Sequence, residues 1–183
     1  TRDVQVTVFA TDARGETTEG TVAVTVTGLN DSPEYTLGSF DPVPEGDTGV
    51  LSNTSFNLSP LFEGSDADTG ESPAIDASSI EWAPSATTAF AGIANFTVDG
   101  TTLTVDTAKF DSLGAGESAL YDVTFDIVSG EERISETVTI EITGVNDAPE
   151  IEDQDYEAPF GGTLNGTIAA SDVDASDTLS FSL

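Results

Sequence analysis

The chain contains no cysteine, no methionine and no histidine, and only four of its 183 residues are lysine or arginine. Each absence removes a class of chemistry. Without cysteine or histidine there is no thiolate or imidazole metal site and no Cys/His nucleophile–base pair. Disulfide staples are excluded as well, so stability has to come from packing or from bound ions. Four basic side chains cannot neutralise a phosphate backbone, which argues against nucleic acid as a partner. An anionic membrane surface would repel the chain, and no apolar run approaches the roughly 18 residues of a spanning helix, so direct membrane insertion is not expected. The chain starts at Thr1 and has no charged–apolar–small leader segment. It is therefore expected to be an internal piece of something longer, and the absence of cysteine together with the strong acidity suits an extracellular bacterial setting.

What it does have is acid: 34 Asp and Glu against 4 basic residues, a formal charge of 4 − 34 = −30. Such a balance often marks disorder, but 37% of the residues are hydrophobic and they are patterned rather than scattered. The carboxylates repel one another unless divalent cations, external salt or hydration offset them.

The pattern is a repeat. GLNDSPEY at Gly28–Tyr35 returns as GVNDAPEI at Gly144–Ile151, an offset of 144 − 28 = 116 residues. Alternating runs precede both, with Val22, Val24 and Val26 in one and Val138, Ile140 and Ile142 in the other. Period-two alternation of β-branched residues predicts half-buried strands. One strand earlier, Val4–Ala10 corresponds to Tyr121–Ile127, and glycine-containing turns (Thr11–Glu16, Val128–Glu132) predict a hairpin in each case. Further strands are expected near Tyr35–Phe40 and at Ser55–Leu58, Ala74–Trp82, Ala94–Val98, Thr102–Asp106 and Ile134–Thr143, with a tight turn at Asp99-Gly100 and a short helical turn within Ala108–Leu113. About seven strands with turn chemistry between them predict an all-β chain containing a β-sandwich. The expected division is a C-terminal hairpin of a first repeat (1–32), a complete sandwich (33–147) and the opening strands of a third repeat (148–183). The end fragments are too small to bury a core alone.

After each linker comes a Ser-Asp-x-Asp core, in GSDADTGE (Gly64–Glu71) and ASDVDASDT (Ala170–Thr178). Asp-x-Asp presents two carboxylates to one point, and an adjacent Asn-Asp adds a carbonyl and a third carboxylate. Calcium takes six to eight such oxygens, whereas magnesium prefers a tight octahedron with retained waters. Asn, Asp, Gly and Ser also gather in turns for conformational reasons alone. Two equivalents in the same order favour calcium, held by Asn30, Asp31, Asp66 and Asp68 at one linker and by Asn146, Asp147, Asp172 and Asp174 at the other.

These residues resemble cadherin-like tandem repeats, and more closely the bacterial VCBS-type and cadherin-like repeats of large RTX adhesins. Thr143–Pro149, and Thr27–Pro33 with Ser32 for Ala, match the recurrent domain ending Thr-Gly-x-Asn-Asp-Ala-Pro, and FDSLGAGES (Phe110–Ser118) before a Tyr-led strand is similar to those repeats too. The resemblance implies tandem Ig-like sandwiches in a linear array. It also implies a role for Glu45 as an early-strand ligand serving the second linker, for Glu117 or Asp111 as a mid-domain acid there, and for Asp12 at a linker further upstream. Gly28, Gly144 and Ser129 stand where carboxylates occur in animal-type repeats or in the first unit, so one or two ions per linker are expected.

An enzyme is not expected: two carboxyls could hydrolyse a glycoside only across a cleft, with one in an apolar setting, and serine has no histidine base here. Trp82, the sole tryptophan, suits a core anchor better than a sugar platform. Lys109 and Arg133 are expected to be solvated or paired with surface acids. Three functions follow as expectations: a calcium-rigidified extender of a secreted bacterial surface adhesin, a building block of an extracellular filament or sheath, or an adhesive module for glycan or a homophilic partner. The partners are accordingly neighbouring repeats of the same chain, or other copies in a filament.

Overall fold

A computed structural model of the chain describes residues 1–46, 52–86 and 95–182. Its regular structure is β-strand with two short 3-10 turns. Among the described residues no helix is long and apolar enough to cross a membrane.

The valine alternation near the N-terminus makes β1 (Arg2–Thr11) and β2 (Thr17–Val26), an antiparallel hairpin whose register pairs Val4 with Val24 and Val6 with Val22. Val4, Val6, Val8, Val22, Val24 and Val26 therefore line one face, and every residue of both strands is exposed.

The described strands between residues 34 and 143 form two layers. On one side lies the sheet β4 (Val43–Pro44), β11 (Glu132–Thr143), β10 (Ser118–Ser129) and β7 (Ala74–Pro84), in that spatial order. The other layer holds β3 (Glu34–Leu37) paired with β6 (Phe62–Ser65), and β5 (Asn53–Asn57), β9 (Thr102–Asp106) and β8 (Thr97–Asp99) as a three-stranded sheet. Alternation on β10 and β11 sends Tyr121, Val123, Phe125, Ile127, Val138, Ile140 and Ile142 inward against Phe56, Leu58, Leu103, Val105 and Phe110. Burying each of these large side chains stabilises the fold by about 1.5–3 kcal/mol. The arrangement is sandwich-like and all-β, as the alternation predicts.

Aromatic contacts fix the middle of the core. Tyr121 meets Trp82, Phe96 and Phe110 edge-on, at 5.3–6.1 Å between ring centroids. Trp82 is half-buried against that cluster, in the position of a core anchor. Tyr35 ties the layers together by donating its hydroxyl to Glu136 Oε1, and that bond raises the tyrosine pKa.

Several boundaries differ from the sequence expectation. β5 stops at Asn57 because Leu58 opens the 3-10 turn Ser59–Leu61, with Pro60 in its first turn. The β8–β9 hairpin pairs Asp99 with Thr102, so the turn residues are Gly100-Thr101 rather than Asp99-Gly100. Gly100 takes φ +58°, a conformation that favours glycine. The helical turn runs over Thr107–Phe110 instead of Ala108–Leu113, because the Asp106 carboxylate caps it by accepting from Ala108 N. Ala94, expected to begin a strand, lies outside the described residues. Beyond residue 148 the described strands are only β12 (Glu150–Ile151) and β13 (Ala170–Ser171), paired antiparallel.

Gly144 follows β11 at the start of the second linker. A Cβ there would collide with the carbonyl oxygens of Leu113 and Gly114, while Gly144 N donates to Glu117 O at 3.0 Å. The close approach of two backbones requires glycine at this point.

Candidate metal centre

The two linkers close in the same way. Asp68 N donates to Asp66 Oδ1 at 2.8 Å, and Asp174 N to Asp172 Oδ1 at 3.1 Å. Each bond is an Asx turn that folds Asp-x-Asp back on itself. The second carboxylate then receives the linker: Asp31 N donates to Asp68 Oδ2 at 2.7 Å, and Asp147 N to Asp174 Oδ2 at 2.9 Å. Asn30 and Asn146 each donate Nδ2 to the carbonyl of the following Asp, at 3.2 and 2.6 Å. Three hydrogen bonds thus recur at residues 116 or 106 positions apart (146 − 30 and 174 − 68).

Around these bonds the acids converge. Carboxylate oxygens of Asp66, Asp68 and Glu71 lie within 4.8 Å of one another, as do those of Glu45, Asp147 and Asp174, and those of Asp172, Asp174 and Asp177. Such groups have the donor chemistry for a hard cation. Asp174 belongs to two of them, is only 2% exposed, and buries Oδ1 with no hydrogen-bond partner. Glu45 Oε2 and Glu71 Oε2 are also buried and unpartnered. Unpaired buried carboxylate oxygen is costly.

Electrostatics records the crowding. Burial, reinforced by the charges of Asp147 and Asp111, pushes Glu45 up to about 7, although the Val145 N–H (2.7 Å to Oε1) acts in the opposite direction. Burial also raises Glu71, whose carboxylate packs onto Gly130, with Asp66, Asp68, Glu131 and Glu132 adding to the shift. Asp66 goes down, because the Ser129 hydroxyl (2.6 Å) and the Asp68 N–H donate to its charged form. Ser129 thus meets the cluster as a donor. Arg133 pairs with Asp76 at 2.8 Å and Asp126 at 3.3 Å, neither of which is in a cluster.

The second site draws on four parts of the chain. Glu45 follows β4 and bonds through its own N–H to Thr143 O at 2.9 Å. Asp147 comes from the linker, and Asp172 and Asp174 from the loop after β13, which docks through Ala175 N on Ser112 O at 3.1 Å. Asp111, 7% exposed, lines the cavity between them together with Asp147, Glu150 and Asp172.

The structure thus brings Glu45, Asp147, Asp172 and Asp174 together, and Asp66 with Asp68. Asp31 reaches its cluster through its N–H, and its carboxylate is not a member. Glu117 accepts from Gly114 N at 2.9 Å and braces the 114–117 turn; of the two mid-domain acids, Asp111 faces the site. Asp12 accepts from Arg14 N and Glu16 N, both at 2.9 Å, within its own turn and joins no acidic cluster among the described residues. Glu71 and Asp177 are members that the motif reading missed. Their signal is a third acid at the same spacing, Asp66-x-Asp68-x-x-Glu71 and Asp172-x-Asp174-x-x-Asp177. Searched against protein-family models and against curated proteins, the chain matches none, so the residues of the site are the ground for a functional reading.

Proposed function

We propose that the chain is a structural extender segment of a large secreted bacterial surface adhesin, in which calcium fastens each linker to the loop that follows it. The observation that carries this reading is the duplicated closure, Asp31 N on Asp68 and Asp147 N on Asp174, each beside converging carboxylates of which at least one buried oxygen has no hydrogen-bond partner. The bonds alone bring like charges together, and a divalent cation converts that repulsion into a clamp. Calcium fits better than magnesium because the candidate ligands are numerous and come from several separate segments. The clamped units are read as tandem Ig-like sandwiches, and the role as mechanical rather than catalytic. Small-angle scattering tests it: chelation shortens the maximum dimension and increases cleavage at 28–33 and 144–149 under limited proteolysis. An unchanged dimension and unchanged cleavage with and without calcium would count against the reading.

A second reading, assembly into a filament or sheath, is favoured by the exposed valine face of the β1–β2 hairpin, since apolar strand faces of this kind are ordinarily covered. Concentration-dependent sedimentation separates the two readings: a monomer throughout favours the extender.

A further inference from the structure

Five of the six asparagines, Asn30, Asn53, Asn57, Asn95 and Asn165, are followed by any residue but proline and then by Ser or Thr. Ser and Thr together make up 44 of 183 residues, so about one or two of six would meet this pattern by composition alone. Asn30 belongs to the linker, where its Nδ2 is engaged with Asp31 O. Three of the others lie in, or just before, the strands of one sheet. Asn53 and Asn57 alternate with inward-facing Thr54 and Phe56 on β5, so both face outward, and Asn95 lies two residues before β8. β5 and β8 are the two outer strands of the sheet β5-β9-β8. All three asparagines are exposed.

At Asn57 the side-chain amide is held through its oxygen. Its Oδ1 accepts from Ser59 N at 3.0 Å and from Thr101 Oγ1 at 3.1 Å, which closes an Asx turn across Asn57-Leu58-Ser59. Among the described residues no hydrogen bond holds its Nδ2. On that face Ser55 shares a hydroxyl bond of 2.9 Å with Thr104 of the central strand, Thr102 lies beside Asn57 in register, and Asp106 lies beside Asn53.

We infer that this outer sheet face is a glycan-acceptor surface, with Asn53, Asn57 and Asn95 as sites of N-linked sugar. The donor class is a glycosyl pyrophosphate. Nδ2 attacks the anomeric carbon and forms the N–C1 bond, the C1–O bond to the phosphate breaks, the pyrophosphate carrier leaves with the electron pair, and a base of the transferase takes the amide proton. Sugar on both outer strands would cover the open edges of the sheet, where unpaired N–H and C=O groups invite pairing with another chain. The inference does not depend on the cation clusters.

Glycopeptide mapping of the protein isolated from the cells that make it tests the inference. Sugar at Asn57 and at one or both of Asn53 and Asn95 is expected, and the absence of sugar from all three overturns it. Ser59→Ala keeps Asn57 in place but should abolish its sugar while sparing Asn95, and Thr97→Ala should do the converse; sugar retained at Asn57 in the first variant, or carried on Ser or Thr instead, is equally fatal. Transfer to the folded chain from a lipid-linked oligosaccharide by an oligosaccharyltransferase, compared with transfer from a nucleotide sugar by a soluble transferase, identifies the donor; transfer by neither overturns acceptor competence. Enzymatic removal of the sugar should increase self-association in sedimentation, and unchanged association would overturn the edge-covering role.

Discussion

Replacing Asp174 by Asn should change stability in opposite directions with and without calcium. Asp174 is 2% exposed, accepts the Asp147 N–H through Oδ2, and buries Oδ1 without a partner beside the carboxylates of Glu45, Asp147, Asp172 and Asp177. Asparagine keeps the shape and can keep the acceptor for Asp147 N. It removes one negative charge and places an amide donor where the orphaned oxygen lies. In chelator the variant should therefore be more stable, by about 1–3 kcal/mol, the usual cost of an unsatisfied buried polar group. For a chain of this size that is a melting-temperature rise of about 2–4 °C per kcal/mol. In calcium at about 1,000 times the dissociation constant the wild type gains about 4.1 kcal/mol by linkage, and the variant, lacking a charged ligand shared by two clusters, forfeits most of it. Thermal unfolding in chelator and in excess calcium gives the comparison. If Asp174→Asn shifts the midpoint in the same direction under both conditions, the cluster is not a cation site.

Gly144→Ala should destabilise by about 1–3 kcal/mol, because the added methyl meets the Leu113 and Gly114 carbonyls; Gly28→Ala, with nothing within 4 Å of its Cβ position, is the control for the same chemical change in denaturant titrations. Glu45 has its folded pKa raised from 4.5 to about 7, so the cation-free protein binds the extra proton in the folded state. Its contribution is full below about pH 4.5 and is lost as pH rises through about 7, an effect of about 1–2 kcal/mol after solvent screening; Glu45→Gln should flatten stability across that window in chelator. Arg133→Ala should leave stability nearly unchanged, since Arg133 is well exposed, while NMR titration should show Asp76 rising from its depressed value of about 2 but staying below the ordinary range, because the Ser78 hydroxyl remains.

The longest strands were legible from their alternation: β10 sends Ala119, Tyr121, Val123, Phe125 and Ile127 to one face, and β11 sends Ile134, Val138, Ile140 and Ile142, with Glu136 as the interruption. β4 and β6 were not, because two residues (Val43-Pro44) or a Phe-Glu-Gly-Ser run carry no period. They exist through partners, β4 on the end of β11 and β6 on β3. The motif reading located the Asp-x-Asp loops and both linkers because the repeat marks them. It missed Glu71 and Asp177, which read as turn acids until the Asx turn brings them around to the pair before them. Asp111 and Glu117 could not be ranked from sequence, since the choice depends on which side of the 110–117 segment faces Asp147. The roles differ once folded: Asp111 is buried at the cavity and Glu117 braces its own turn.

The central claim is that the duplicated acidic clusters hold calcium. A crystal structure of the full chain grown in calcium tests it most directly. The account predicts an ion within Glu45–Asp147–Asp174 and another within Asp66–Asp68–Glu71, with carboxylate and carbonyl oxygens at about 2.3–2.6 Å. Clusters holding only water at saturating calcium, with Asp174 Oδ1 bonded to that water, would contradict it.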